Sequence, residues 1–224
     1  MNGKEKVGQA AAQLVEDGMT VGLGTGSTAY YFIEELGRRV QEEGLKLGGA
    51  VPTSLASQKQ AEGLGIQTSS IDEVDRLDLT IDGVDEFTGP EAGIKGGGGA
   101  LLVEKIIAQN SKRIIWIAET RKHVKHLGAF PLPVEVITEG HEQLLRYFAQ
   151  KGYAPNLRKA DDDQPFVTQH GHYIIDLALE KIEDPEALAK ELIQIVGVVE
   201  TGLFLNRTEK VLASDEHGDI VTYE

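Results

Sequence analysis

Up to Pro131, short apolar runs alternate with segments of helical periodicity, and this alternation limits the fold more than any other feature of the chain. The runs are Thr20 to Leu23, Ala50-Val51, Ile66 to Thr68, Leu77 to Ile81 and Arg113 to Ala118. Between and around them lie helical stripes: Val7, Ala10, Ala11, Leu14 and Val15; Phe32, Leu36 and Val40; Leu55 to Leu64; and Leu101, Leu102, Lys105 and Ile106. Strand after helix in this way predicts an α/β fold, with a mostly parallel Rossmann-like sheet and helices on both faces. The polar segment from Gly37 to Gly48 reads as a frayed helix end and loop. In such sheets ligands sit beyond the carboxyl ends of the strands, so the loops that follow the apolar runs are where function is sought.

The rhythm changes after Pro131. Val134 to Ile137 reads as a strand and His141 to Gln150 as a helix. Phe166 to Leu179 reads as two strands turning at His170-Gly171. A helix follows that is capped by Asp184-Pro185, and Val198 to Leu205 is a last strand. That β-α-β-β-α-β order predicts a smaller ferredoxin-like α+β unit. Lys210 to Ser214 and Ile220 to Tyr223 then form a hairpin returning to the first unit. The expected division is residues 1–130 with 206–224 as the α/β catalytic domain, and 131–205 as the ferredoxin-like domain.

Charge and composition exclude several functions. At −14 the chain lacks the basic face that a nucleic-acid backbone or anionic membrane requires, and it has no cysteine for thiolate catalysis, disulfides or cysteine metal sites. No run approaches membrane-spanning length and the N-terminus has no signal-peptide core, so a cytoplasmic protein is expected.

Two loops carry chemistry. The first, Gly22-Leu23-Gly24-Thr25-Gly26-Ser27-Thr28, joins a strand to a helix. Its glycines let the backbone approach an anion, the helix start offers free N–H groups, and Thr25, Ser27 and Thr28 add hydroxyls. It is neither a Walker loop nor a full dinucleotide fingerprint; the alternatives are a single phosphate or a plain capped turn. The second stretch, Thr80 to Ile107, gathers Asp82, Asp85, Lys95, Gly96 to Gly99 and Glu104. The two aspartates can cap a turn, exchange protons with substrate hydroxyls, or bind a metal. No histidine lies nearby and Lys95 would repel a cation, which weighs against the metal. Four glycines cost up to roughly 1 kcal/mol each relative to alanine in regular structure. Their gain is close approach to a ligand oxygen, where a well-placed donor is worth about 3–4 kcal/mol in a transition state. Glu104 is either a solvated helix-start acid or part of the same site. His123 and His126, in the basic segment RKHVKH, read as a helical surface, and His170 and His172 as turn residues. Lys122, just after a strand, reaches towards the same sheet edge.

With these motifs in order, the chain resembles the ribose-5-phosphate isomerase family, A type. The resemblance rests on VGLGTGSTA (Val21 to Ala29), IDGVDE (Ile81 to Glu86), KGGGGALLVEKIIA (Lys95 to Ala108), FPLPVEV (Phe130 to Val136) and GLFLNR (Gly202 to Arg207). It implies an aldose–ketose isomerase of the non-oxidative pentose phosphate pathway, interconverting D-ribose 5-phosphate and D-ribulose 5-phosphate through a cis-enediolate. By the same resemblance Glu104 is the general base, with Lys95, Asp82 and Asp85 completing the catalytic set. Thr25, Gly26, Ser27 and Thr28 hold the phosphate with Lys122, while Asp82, Gly83, Val84, Asp85, Lys95, Gly96, Gly97 and Gly98 bind the sugar. The family further implies a lid and oligomerisation role for the ferredoxin-like unit, a homodimer or homotetramer, and no metal or organic cofactor. Many relatives carry arginine where this chain has Val103, an effect expected on packing or assembly rather than chemistry. The rival readings are a related sugar-phosphate isomerase or deaminase acting on an amino sugar, and a non-catalytic sugar-phosphate sensor.

Overall fold

The computed structural model describes residues 2–224. Asn2 caps the first helix, α1 (Gly3–Ala12), by accepting from the Glu5 amide. There follow β1 (Thr20–Leu23), α2 (Ser27–Arg38), β2 (Gly49–Pro52), α3 (Leu55–Gly63), β3 (Leu77–Gly83), β4 (Glu86–Phe87) and β5 (Ala92–Ile94). Next come α4 (Leu101–Gln109), β6 (Ser111–Glu119), β7 (Leu132–Val136), α5 (His141–Gln150), β8 (Pro155–Leu157) and β9 (Tyr173–Leu177). The chain ends with α6 (Pro185–Ile193), β10 (Val198–Thr201), β11 (Leu203–Leu205), β12 (Lys210–Ser214) and β13 (Ile220–Tyr223).

The main sheet has six strands in the order β13-β12-β6-β3-β1-β2, parallel throughout except for the terminal hairpin β12–β13. The α1 and α2 side chains Val7, Ala11, Phe32, Ile33 and Leu36 pack with Val21, Leu23, Leu79 and Ile81 of the strands. On another part of the sheet Trp116 and Val211 pack with Val84, Phe87 and Phe204. A four-stranded antiparallel sheet, β10-β7-β9-β8, carries α5 and α6 in the ferredoxin-like order. Its core is Leu132, Val134, Leu144, Phe148, Ile175 and Leu192. The fold class is therefore the expected one, a mostly parallel Rossmann-like sheet plus a smaller ferredoxin-like α+β unit.

Several elements differ from the sequence reading. Ile66 to Thr68 joins no sheet, although Ile66 is buried and Ser69 donates to Ala50 O. After α2 the chain is not frayed: a π-helical turn at Arg39–Glu43 ends on left-handed Gly44, tied by Arg38 to Glu35 and Glu43 and by Arg39 to Glu43. RKHVKH is no helix; only Thr120–Lys122 makes a 3-10 turn, and Val124 N donates to Phe87 O instead. In the second unit only Tyr173–Leu177 of the expected strand pair is a strand. Its partner is Pro155–Leu157, whose proline and asparagine hid it from a search for apolar runs.

The expected single strand Val198 to Leu205 is two, broken at Gly202. β10 stays in the four-stranded sheet while β11 pairs with β5 in a three-stranded sheet, β11-β5-β4. Gly202 joins the two by donating to Pro133 O at 2.7 Å and accepting from Lys95 N at 2.9 Å. A Cβ there would lie 2.4 Å from Lys95 O, which only glycine avoids. Gly202→Ala should therefore destabilise by about 1–3 kcal/mol through overpacking. Gly63→Ala, where a Cβ meets nothing within 4 Å, should be neutral or stabilising by helix propensity. Chemical denaturation of both variants checks the contrast.

Candidate active site

The site lies where β1 and β3 end. β3, between β1 and β6, carries Asp82 to the sheet edge, where its Oδ1 accepts from Thr25 N at 3.0 Å and Gly83 N at 2.7 Å. A side chain at position 24 would collide with this carboxylate, since its Cβ would sit 2.3 Å from Asp82 Oδ1. That close approach explains one glycine of the first loop. Lys95, just past β5, returns its ammonium beneath the sheet edge: Nζ lies 2.9 Å from Asp82 Oδ2 and 3.3 Å from Glu104 Oε2, and donates to Gly83 O. All three side chains are nearly closed to solvent, at 2% exposed for Asp82, 3% for Lys95 and 4% for Glu104.

Their hydrogen bonding is unequal. Asp82 Oδ1 accepts two amides, whereas Glu104 Oε2 is buried without a hydrogen-bond partner; Lys95 forms an ion pair with both carboxylates. Burial pushes the Glu104 carboxyl up to about 8; the nearby charges of Asp82 and Asp85 add to this and Lys95 opposes it. Burial also raises Asp82, against the pull of Lys95 and the two amides. Burial disfavours the Lys95 cation, but the two carboxylates outweigh it and hold the ammonium above its usual value.

The glycine loop is shaped by two left-handed residues, Gly96 (φ +100°) and Gly99 (φ +79°). Gly97 N donates to Asp85 Oδ2 at 2.8 Å and Gly99 N to Gly96 O at 3.0 Å. The four amides are therefore not equivalent, as the sequence reading had treated them; Gly96 and Gly98 keep theirs without an acceptor among the described residues. Lys122 donates to Val84 O at 2.6 Å and lies 4.0 Å from Asp85, and burial pulls its pKa down.

On the other wall, Gly26 (φ +108°) caps α2 without a side chain, leaving the first amides of the helix open. Ser27 Oγ accepts from Lys4 Nζ at 2.9 Å. Thr28 is buried. Thr25 contributes differently from expectation: its hydroxyl bonds to Thr53 (2.6 Å) and Ser54 (2.8 Å), and its amide to Asp82.

A cavity of about 80 Å³ brings together Thr25, Gly26, Ser27, Thr28, Gly83, Val84, Asp85, Lys95, Gly96, Gly98, Glu104 and Lys122. Asp82 and Gly97 do not line it. A larger opening of about 730 Å³ adjoins the same Gly24 to Ser27 loop and takes in Lys4, Tyr30, Tyr31 and Gln60. Of the two buried acids, Glu104 lines the smaller one beside Lys95, while Asp82 lies off its wall. Lys4 was missed by the sequence reading, which used α1 only for its apolar face; no local signal links a first-turn lysine to a loop more than twenty residues on. Val103 packs beside Val51, Leu77 and Ile107 rather than joining the acids.

A buried carboxylate without a donor, a lysine held cationic beside it, and an open helix N-terminus flanked by lysines define an enzyme site for acid–base chemistry on a small anion. The comparisons with known proteins agree. Residues 49–218 match the family model for ribose 5-phosphate isomerase A (phosphoriboisomerase A). Ribose-5-phosphate isomerase A of Enterococcus faecalis is 56% identical over 218 residues, covering 97% of this chain and 96% of that protein. The Streptococcus pneumoniae serotype 4 protein of the same name is 54% identical over 217 residues, covering 97% and 95%. Among solved structures, ribose 5-phosphate isomerase A from Methanocaldococcus jannaschii superposes with a TM-score of 0.92 at 38% identity, covering 99% of this chain and 98% of that one. A D-ribose-5-phosphate isomerase in complex with phospho-erythronic acid gives 0.95 at 33% identity, with full coverage of both chains, 100% and 100%. This chain belongs to the ribose 5-phosphate isomerase A family.

The raised Glu104 carboxyl has a stability consequence. Folding raises this pKa above the unfolded value near 4.5, so between about pH 4.5 and 8 the folded state binds the proton more tightly. On this account stability falls as pH rises through that window. Glu104→Gln removes the dependence. Its Tm relative to the wild type should climb between pH 5 and pH 9, with about 2–4 °C per kcal/mol for a chain of this size. A constant difference in calorimetry would overturn the assignment.

Proposed function

We propose that the chain interconverts D-ribose 5-phosphate and D-ribulose 5-phosphate by proton transfer through a cis-enediolate, the isomerisation of the non-oxidative pentose phosphate pathway. The observation that carries this reading is Glu104: a buried carboxyl raised to about 8, lacking a donor on Oε2, in the wall of a cavity that also holds Lys95 and the α2 N-terminus. The names of the close relatives support it, as does the phosphorylated aldonic acid bound by one structural neighbour.

In this reading the substrate phosphate docks on the α2 amides with Ser27 and Thr28, neutralised by Lys4 and Lys122. The sugar then extends along Gly83, Val84 and Asp85 towards the glycine loop. Asp85, which faces the cavity and the Gly97 amide, exchanges hydroxyl protons during ring opening. Glu104 removes the proton from C2 and returns it to C1, and its high pKa makes it a stronger base than an exposed carboxylate. The negative charge that develops on the enediolate oxygen meets the Lys95 ammonium and the Gly96 and Gly98 amides. Asp82, behind Lys95 and off the cavity wall, keeps that ammonium charged and aimed. This differs from the sequence-based assignment of Asp82 to the substrate itself. A homodimer or homotetramer in the cytoplasm, with the second unit as lid and assembly surface, completes the reading; no helix among the described residues is long and apolar enough to cross a membrane.

Three outcomes are expected from a direct assay of ribulose 5-phosphate formation with chelator present. Glu104→Gln should lower kcat by at least about 10²–10⁴-fold, with KM within an order of magnitude. If that variant turns over at the wild-type rate, the base lies elsewhere. Lys4→Met should raise KM about tenfold, the effect of roughly 1.4 kcal/mol, while changing kcat less; the reverse pattern would remove Lys4 from the phosphate site. For the wild type, kcat/KM should rise with pH to an inflection near 8, where free Glu104 loses its proton. An ascending limb complete by pH 5 would contradict a buried base.

A further inference from the structure

The ferredoxin-like unit reaches the reacting end of the site through one side chain. Arg158, just after β8, donates from Nη1 to Gly96 O at 2.8 Å and to Gly97 O at 3.1 Å. The rest of its guanidinium is held by Asp176 of β9, Nε to Oδ2 at 2.9 Å and Nη2 to Oδ1. Phe166 completes the clamp: its ring lies 5.9 Å from the Arg158 guanidinium carbon and closes against Gly99, where a Cβ would come within 2.5 Å of it.

The consequence follows from peptide geometry. No peptide bond among the described residues is cis, so each carbonyl points opposite to the N–H of its own peptide unit. With Gly96 O turned to Arg158, the Gly97 N–H faces the other way and meets Asp85 Oδ2 at 2.8 Å. With Gly97 O turned to the same guanidinium, the Gly98 N–H faces away from it, and Gly98 lines the cavity. A cation on two consecutive carbonyl oxygens also draws electron density from both amides, making them stronger donors. Arginine suits this task because its planar fork binds a carboxylate on one edge while its remaining donors bridge two oxygens.

The geometry points to Arg158 as a positioning residue for the isomerisation. From the second unit it fixes and polarises the Gly96–Gly98 peptides, so that the Gly98 amide is aimed at the enediolate oxygen and the Gly97 amide at Asp85. Asp176 keeps the guanidinium in that orientation. This inference rests on the isomerase reading above. It explains why a loop of four glycines can be both bare and ordered: its conformation is set from outside, by a charged fork, rather than by its own side chains.

The test compares Arg158→Met, Arg158→Lys and Asp176→Asn with the wild type. For each, kcat and KM are measured with ribose 5-phosphate, together with Kd for phospho-erythronic acid and for inorganic phosphate. The carboxylate of the aldonic acid places negative charge where the enediolate would carry it, whereas phosphate probes only the α2 end. Arg158→Met should lose about 10²-fold or more in kcat, the scale of a misplaced oxyanion donor. It should lose affinity for phospho-erythronic acid while phosphate binding stays within twofold. Arg158→Lys, charged but without the fork, should fall between, and Asp176→Asn should show the same split in milder form.

Kinetics well below each variant's Tm separate this from loss of fold. If kcat is then at the wild-type level, or if phosphate and phospho-erythronic acid weaken together, Arg158 is only a structural tie. Should Arg158→Met fail to fold, the lysine and asparagine variants decide by the same criteria. A wild type that does not isomerise ribose 5-phosphate would instead sink the functional reading, a distinguishable outcome.

Discussion

The placement of one ammonium group underlies the rest of the site. Lys95 is 3% exposed, and a lone cation at such depth would be expelled or neutralised. It stays charged because Asp82 and Glu104 lie at 2.9 and 3.3 Å. The two carboxylates are not equally satisfied. Asp82 accepts two amides besides its ion pair, whereas Glu104 Oε2 has the ion pair alone. A buried pair of this kind contributes little to stability, since desolvation cancels most of the attraction. What it provides is a carboxyl raised to about 8 next to a fixed positive charge.

The three sheets converge on this arrangement. The parallel sheet supplies Asp82 and the β1–α2 loop from adjacent strands. The small β11-β5-β4 sheet delivers Lys95, and Gly202 pins its backbone where β10 leaves one sheet and β11 enters another. Lys105, the residue after Glu104, ties α4 to the same corner by donating to Glu200 Oε1 and Leu203 O, both at 2.8 Å. Asp82, Lys95 and Glu104 are therefore each held by a different part of the fold. A glycine loop inside such a frame can afford to have no side chains, because its neighbours define its course.

Much of the fold was legible in the sequence wherever one element carried its own pattern. RIIWIA, the Phe32–Leu36 stripe and Asp184-Pro185 each announce their structure locally. Failures came where pairing rather than pattern makes a strand. Pro155–Leu157 is a strand because Tyr173–Leu177 lies beside it, and Ile66 to Thr68, without such a partner, joins no sheet. RKHVKH looked helical by spacing, yet its backbone is spent on pairing with Phe87.

The site divides in the same way. Sequence alone determined the chemical inventory: two aspartates, a lysine, a bare glycine run and a glutamate in one stretch, and a glycine–hydroxyl turn before a helix. Those features are local, and each keeps its meaning whatever surrounds it. Tertiary structure decided their division of labour. It set Asp82 behind Lys95 and Asp85 at the cavity, and engaged the Gly97 and Gly99 amides while leaving Gly96 and Gly98 open. It also brought Lys4 and Arg158 from distant segments to the two ends of the site. A charge is a property of a residue, but its burial, its partners and its pKa belong to the packing that closes around it.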